Sequence, residues 1–195
     1  AGYDIFKETK IRKFIERFPE SRIRPLILKR LYPYLVNSPG KSLQYSEAFF
    51  KVDTTGFPDY FYSHIPRWNT TSKIKFFFSD YLKGELSGYK SIDELPSLLS
   101  NNLYKYDYLS QAQYLEIKTL LPGYLLSSQG DRVAMGNSIE GRFPFLDHRV
   151  IEFCCKLPPK LRMRTLTEKY ILKKSMHKLL PASITQRTKQ PYMAP

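Results

Sequence analysis

DRVAMGNSIEGRFPFLD, residues Asp131–Asp147, is the stretch from which the rest of the chain can be read. Gly130 just before it predicts a loop-to-helix change, which places Asp131 and Arg132 to face a charged ligand. At its other end Phe143, Pro144, Phe145 and Leu146 form a short segment with a proline-locked backbone. Asp147 follows, and an aspartate there accepts the otherwise orphan N–H groups that open a helix. HRVIEFCCKL, residues 148–157, is predicted to be that helix. Between these ends Glu140 and Arg142 flank Gly141. An acid and a base beside an aromatic turn are costly to bury unpaired, so they read as an ion-pair brace under the loop.

Working outward, helical signals dominate. Upstream, DYLSQAQYLEIKTLLPGYLL (107–126) reads as one helix stopped near Pro122 and Gly123. DIFKETKIRKFIERF (4–18) spaces Ile5, Ile11, Phe14, Ile15 and Phe18 mostly at helical intervals, and Pro19 ends the pattern. PLILKRLYPYL opens on Pro25 and is bent or ended by Pro33. Short helices are expected in KIKFFFSDY, capped by Ser72, and in ELPSLLS, capped by Asp93. Downstream, TEKYILKKSMHKLL is expected to be helical after a cap at Thr165 or Thr167. Residues 36–72 are rich in turn formers. They also carry Phe49, Phe50, Phe57, Tyr60, Phe61, Tyr62 and Trp68, which predicts an ordered segment docked on a core. No internal repeat and no long strand alternation is present. The chain reads as mainly α, a single unit over 1–195.

Composition narrows the classes. A hydrophobic fraction of 42% excludes a wholly disordered tail. No apolar run approaches the ~18 to 20 residues of a membrane span. The N-terminus carries no leader-like pattern and both ends read as cut, so a cytoplasmic, soluble piece of a larger protein is expected. Cys154 and Cys155 are adjacent, which disfavours a disulfide, and with His64, His148 and His177 they give no zinc spacing. They are predicted to pack as small buried hydrophobes. The formal charge is +13. Between Lys156 and Lys189 ten cations face one acid, Glu168, a balance that attracts phosphates.

Chemistry alone marks no complete catalytic set: there is no P-loop and no nucleophile elbow. The segment LLPASITQRTKQPYMAP offers Arg187 and Lys189 beside Gln190 and Pro191, where a lysine could meet charge developing on a phosphoryl or acyl centre, although spacing alone favours one more surface lysine.

The order DRVAMGNSIEGRFPFLDHRVIEF, then EKYILKKSMHKLLPASITQRTKQPYMAP, resembles the C-terminal half of the asparagine synthetase family, whose pattern runs close to DRxxMxxSxExRxPFLDxR and then KYxLKxA…LPxxIxxRxKxxF. Ser175 stands where an alanine is usual and Tyr192 where a phenylalanine is common. AGYDIFKE resembles the residues next to the family's GEGxDExFxGY signature, on its C-terminal side. The resemblance implies the helical C-terminal portion of an α/β ATP-pyrophosphatase (adenine nucleotide α-hydrolase-like) synthetase domain. It implies a glutamine-dependent reaction in which Mg-ATP adenylates the side-chain carboxylate of aspartate and ammonia, released from glutamine in a separate domain, then attacks. By match to the motifs, Lys189 would steady the adenylation transition state. Tyr3 would line the amino-acid pocket, with Asp131 and Arg132 near it, while Glu140, Arg142 and Asp147 brace the loop. The family's SGGxDSS loop does not occur here. Phosphate binding of that kind uses such a loop, so the chain alone is expected neither to bind ATP productively nor to make asparagine. Expected partners are aspartate, ATP, ammonia, the remainder of the synthetase domain, the glutaminase domain and a possible second copy. A relative acting on another carboxylate (a sugar, a peptide, a β-lactam precursor) is the alternative, and a nucleic-acid module is the least favoured.

Overall fold

Helix α1 (Asp4–Arg17) is the rod on which the core is assembled. A computed structural model describes residues 2–32, 49–50 and 55–189. Asp4 in the first turn of α1 and Arg17 in the last both suit the helix dipole. The Phe18 N–H closes the helix on the Phe14 carbonyl (2.9 Å), and Pro19 follows. Helix α2 (Arg24–Leu31) holds Pro25 in its first turn, as read. Ile11 of α1 packs there with Leu28, Leu31 and Phe50, flanked by Phe49. Residues 33–48 and 51–54, and with them the Pro33 prediction, lie outside the described residues.

The expectation of a docked aromatic segment holds for the described part of 36–72, but its end is helical rather than turn-like. A 3-10 turn at Asp59–Phe61 leads into α3 (Ile65–Ser72), with Pro66 in the first turn. Phe61 and Ile65 pack with Leu103 and Leu115, against Phe57, Tyr60 and Trp68. Turn-forming composition missed α3 because Asn69, Thr70 and Thr71 have weak helix propensity and packing overrides it. Ser72 does not start a helix reaching Tyr81: its hydroxyl donates back to the Asn69 carbonyl (2.9 Å), and 73–77 form a 3-10 turn. Ser79 caps instead, accepting the Leu82 N–H (3.2 Å) at the head of α4 (Asp80–Glu85). Helix α5 (Ser91–Leu98) begins two residues before the expected cap, so Asp93 lies in its first turn, and Pro96 lies inside it at the cost of one hydrogen-bond rung.

Helix α6 (Tyr108–Thr119) is capped by Asp107, which accepts the N–H groups of Leu109 (3.0 Å) and Ser110 (3.1 Å). It does not stop at Pro122. The coil widens into a π-helical segment (Leu121–Asp131) that passes directly into α7 (Arg132–Gly136). The Leu125 N–H reaches the Leu120 carbonyl five residues back (3.3 Å). Pro122 has no N–H to give and crowds the carbonyl four residues before it, and a wider turn relieves both conflicts without ending the coil. Gly130 is therefore no loop-to-helix change. A Cβ there would come within 2.9 Å of the Leu125 carbonyl oxygen, so the wide coil itself needs the glycine.

A 3-10 turn at Pro144–Leu146 precedes α8 (His148–Lys156), and Asp147 caps it as read, accepting the Arg149 N–H (2.9 Å). Next come α9 (Pro159–Arg162) and a two-stranded antiparallel hairpin. Its strands β1 (Met163–Arg164) and β2 (Thr167–Glu168) pair Met163 with Glu168 and Arg164 with Thr167. Neither Thr165 nor Thr167 caps a helix. Thr165 turns the hairpin in the left-handed region (φ 52°), and Lys169 (φ 53°) leads into α10 (Tyr170–Met176), followed by α11 (Ala182–Thr185). The mainly α architecture stands, with this hairpin as its small sheet.

Met163 enters a cluster with Ile5, Phe6, Leu109 and Ala112, so α1, α6 and the hairpin meet in one place. Lys10 strengthens the junction by donating to the Met163 and Thr165 carbonyls (both 3.0 Å). Arg162 binds Ser110 (2.6 Å) and Gln113 of α6. Cys154 and Cys155 are exposed, not buried, because α8 contributes no side chain to any of these clusters. No helix among the described residues is long and apolar enough to cross a membrane.

Candidate functional site

Tyr3 stands one residue before α1, and Lys189 follows α11 near the other end of the chain, yet the fold brings them together. The Lys189 ammonium lies 5.6 Å from the centre of the Tyr3 ring. Tyr3 is 40% exposed, and it leans edge-on against Phe6, whose own ring is buried in the core (centroids 6.3 Å apart). The tyrosine is thus anchored on one side and open on the other, with a cation over it.

A buried carboxylate underlies this pair. Glu168 Oε1 accepts the backbone N–H of Lys189 (2.9 Å) and the ammonium of Lys173 (3.1 Å). Its Oε2 lies 3.3 Å from the ammonium of Lys7, which also has Asp4 at 3.9 Å. Lys7 and Glu168 are 2% and 3% exposed at their side chains, so the contact is a buried ion pair. Burial opposes the charge on Glu168. The Lys189 amide, its own backbone N–H, Lys173 and Lys7 outweigh that and hold its carboxyl down to about 2. Lys173 also donates to the Arg187 carbonyl (2.9 Å), which ties the loop before Lys189 to α10. Gly2 lies where a Cβ would sit 2.9 Å from the Lys169 side chain. Two ends of the chain therefore converge on β2.

Sequence reasoning singled out Lys189 and Tyr3 but passed over Glu168, Lys7 and Lys173. A signal existed for Glu168: it is the single acid in the cationic run from Lys156 to Lys189. Lys7 carried one too, because it stands four residues before Ile11 on the inward face of α1. Several cations of the run serve the fold rather than a ligand: Arg162 binds α6, Arg164 donates to the Tyr170 hydroxyl (2.7 Å), and Lys173 holds Glu168. Lys173 also lines a cleft of about 370 Å³ with Tyr170, Lys174, His177 and Thr185.

The remaining candidates lie elsewhere. Asp131 and Arg132 are exposed where the π-helical segment becomes α7, and neither takes part in the Glu168 cluster. Glu140 and Arg142 do pair (2.6 Å), but both stand in solvent, where such a pair contributes little. Arg149 also reaches Asp147 through its guanidinium (3.2 Å), and these hydrogen bonds lower the Asp147 carboxyl below its ordinary value. Residues 133–153 expose Val133, Met135, Ile139, Phe143, Phe145 and, in α8, Phe153.

Chemically, the convergence presents the Lys189 cation beside a partly exposed tyrosine. The Lys189 ammonium over the Tyr3 ring suits phosphoryl oxygens. Among the described residues no group of three or more His, Cys, Asp or Glu could hold a metal ion.

The family model for asparagine synthase matches residues 1–195, the entire chain. The chain belongs to the asparagine synthase family. Glutamine-hydrolyzing asparagine synthetase 1 of Bacillus subtilis is 27% identical over 203 aligned positions, which take in 100% of this chain and 29% of that protein. Amidase chry2 of Gibberella zeae is 33% identical over 101 residues, 49% of this chain and 15% of that protein. Amidase chyE of Penicillium rubens is 37% identical over 93 residues, 45% of this chain and 14% of that protein. In each case the match spans less than a third of the relative. No solved structure matches the chain.

Proposed function

We propose that this asparagine synthase family chain supplies the transition-state lysine and part of the amino-acid pocket for a synthetase. The reaction adenylates the side-chain carboxylate of aspartate with Mg-ATP. Glutamine-derived ammonia then displaces AMP, giving asparagine, with pyrophosphate released in the first step. The observation that carries this reading is the Lys189 ammonium held over the Tyr3 ring from a backbone anchored on Glu168. When a carboxylate oxygen attacks the α-phosphorus, negative charge grows on the phosphoryl oxygens and on the departing pyrophosphate. A fixed ammonium stabilises that charge most where water is thin and the cation needs no rearrangement. Tyr3 would then form one wall of the amino-acid pocket. Asp131 and Arg132 would approach the substrate from the signature segment, with Glu140, Arg142 and Asp147 shaping the turn behind them.

The exposed apolar side chains of residues 133–153 support a further part of this reading. A patch of that kind favours packing against another surface, here the remainder of the synthetase domain, with the glutaminase domain beyond it. The setting would be cytoplasmic. The chain by itself would then neither bind Mg-ATP productively nor make asparagine, and micromolar binding in isothermal titration of the 195-residue chain would overturn that.

Aspartate-dependent exchange of labelled pyrophosphate into ATP, measured on the full-length protein, tests the reaction directly. Lys189→Met should lower its rate by at least about 10²-fold, the cost of losing a preorganised charge-stabilising donor. An unchanged rate would remove Lys189 from the chemistry. The amidase-named relatives favour a second reading, in which the same adenylation serves a different carboxylate. Exchange driven by another carboxylic acid but not by aspartate would select it.

A further inference from the structure

Lys189 is held by its backbone rather than by its side chain, and the group that holds it is buried and shared. Glu168 Oε1 takes the Lys189 N–H at 2.9 Å and Lys173 at 3.1 Å, while Oε2 takes Lys7 at 3.3 Å from inside α1. Lys7 lies one helical turn after Tyr3. One carboxylate therefore couples the helix that begins beside Tyr3 to the loop that carries Lys189. We propose that Glu168 is the positioning residue of this site, setting the Lys189 backbone so that its ammonium stands over the Tyr3 ring at the reacting phosphoryl group. This rests on the adenylation reading above.

Three features favour a positioning role over a merely structural ion pair. The hydrogen bond is made to the backbone of Lys189, so its loss shifts the root of the side chain and not just its tip. Lys173, on the same oxygen, also donates to the Arg187 carbonyl (2.9 Å), so the approach to Lys189 is held at two points. The left-handed turn at Lys169 (φ 53°) comes immediately after Glu168, and Lys169 packs beside Gly2, the neighbour of Tyr3. Both parts of the candidate site are thus referenced to β2.

Glu168→Asp separates geometry from charge. It keeps a carboxylate for the flexible ammoniums of Lys7 and Lys173 but withdraws the acceptor by about 1.5 Å, one carbon–carbon bond, from a backbone N–H that cannot follow. The experiment compares full-length wild type, E168D, K189M and E168D/K189M. It measures hydrogen exchange at the Lys189 amide, together with kcat and KM for ATP in carboxylate-dependent pyrophosphate exchange. In E168D the Lys189 amide should exchange at least tenfold faster and kcat should fall at least tenfold, with KM for ATP moving less than threefold. K189M should cost much less in the E168D background than in wild type, because residues acting as a unit are not additive. Faster exchange at Lys189 with kcat unchanged would reduce Glu168 to a structural ion pair. Unchanged exchange would show that the hydrogen bond does not hold the loop. A wild type with no carboxylate-dependent activity overturns the adenylation reading and this one together, whereas an active wild type with an unaffected E168D overturns this one alone.

Discussion

Replacing Glu168 by glutamine removes one buried charge while keeping the side chain's size and an oxygen that can still accept the Lys189 N–H. The structure sets the scale of the effect. A carboxyl whose ordinary value is 4.5 is held at about 2 in the folded chain, net of the burial that works against it. Each tenfold difference in proton affinity corresponds to about 1.4 kcal/mol, so the ionised group contributes about 3 kcal/mol to folding at neutral pH. Because the folded value is depressed, that contribution is fully present above about pH 5. It is lost as pH falls from there toward 2, when folded and unfolded chains both come to hold the proton. For a chain of this size about 3 kcal/mol lowers the midpoint of thermal unfolding by roughly 6 to 12 °C. Lys7, 2% exposed, is left with Asp4 at 3.9 Å as its acidic partner, which adds to the loss. Thermal unfolding followed by circular dichroism at half-unit steps from pH 7 to pH 2.5 reads this out. Wild type should lie well above E168Q at pH 7, and the two curves should converge as the pH approaches 2.5. A gap below about 2 °C at neutral pH, or one that keeps its size down to pH 3, would refute the central place given to this carboxylate.

Two further outcomes test other parts of the fold. Asp107→Ala strips the head of α6 of the carboxylate that accepts the Leu109 and Ser110 N–H groups, so it should destabilise the chain by about 1 kcal/mol, read as a fall of about 2 to 4 °C in the unfolding midpoint. Cys154 and Cys155 should both react with a colourless disulfide reagent in the folded chain as fast as in denaturant, and slow native labelling would mean that α8 is covered after all.

Local signals were legible wherever the physics is local. Pro25 opening α2, the end of α1 near Pro19 and the Asp147 cap of α8 follow from steric and hydrogen-bonding rules that act within one turn. The same rules failed where two local outcomes compete. Pro122 could end a helix or widen it, and the wide coil prevailed, aided by a glycine at 130 that accepts close approach of the Leu125 carbonyl. Ser72 and Thr165 are good caps in isolation, but one closes α3 and the other turns the hairpin. The cysteines misled for a related reason: residue preference describes an average interior, and α8 contributes to none of the hydrophobic clusters here.

By itself the sequence indicated the helical class and, through its resemblance to the family's motifs, the family and two candidate residues, Lys189 and Tyr3, because such motifs are residue types at short spacings. Only the tertiary structure decided that those two residues meet, and that Glu168 with Lys7 and Lys173 forms the anchor beneath them. A buried charge is tolerable only with its partners in place, and these partners come from α1, α10 and the loop after α11. Their distance along the chain is what no local pattern records.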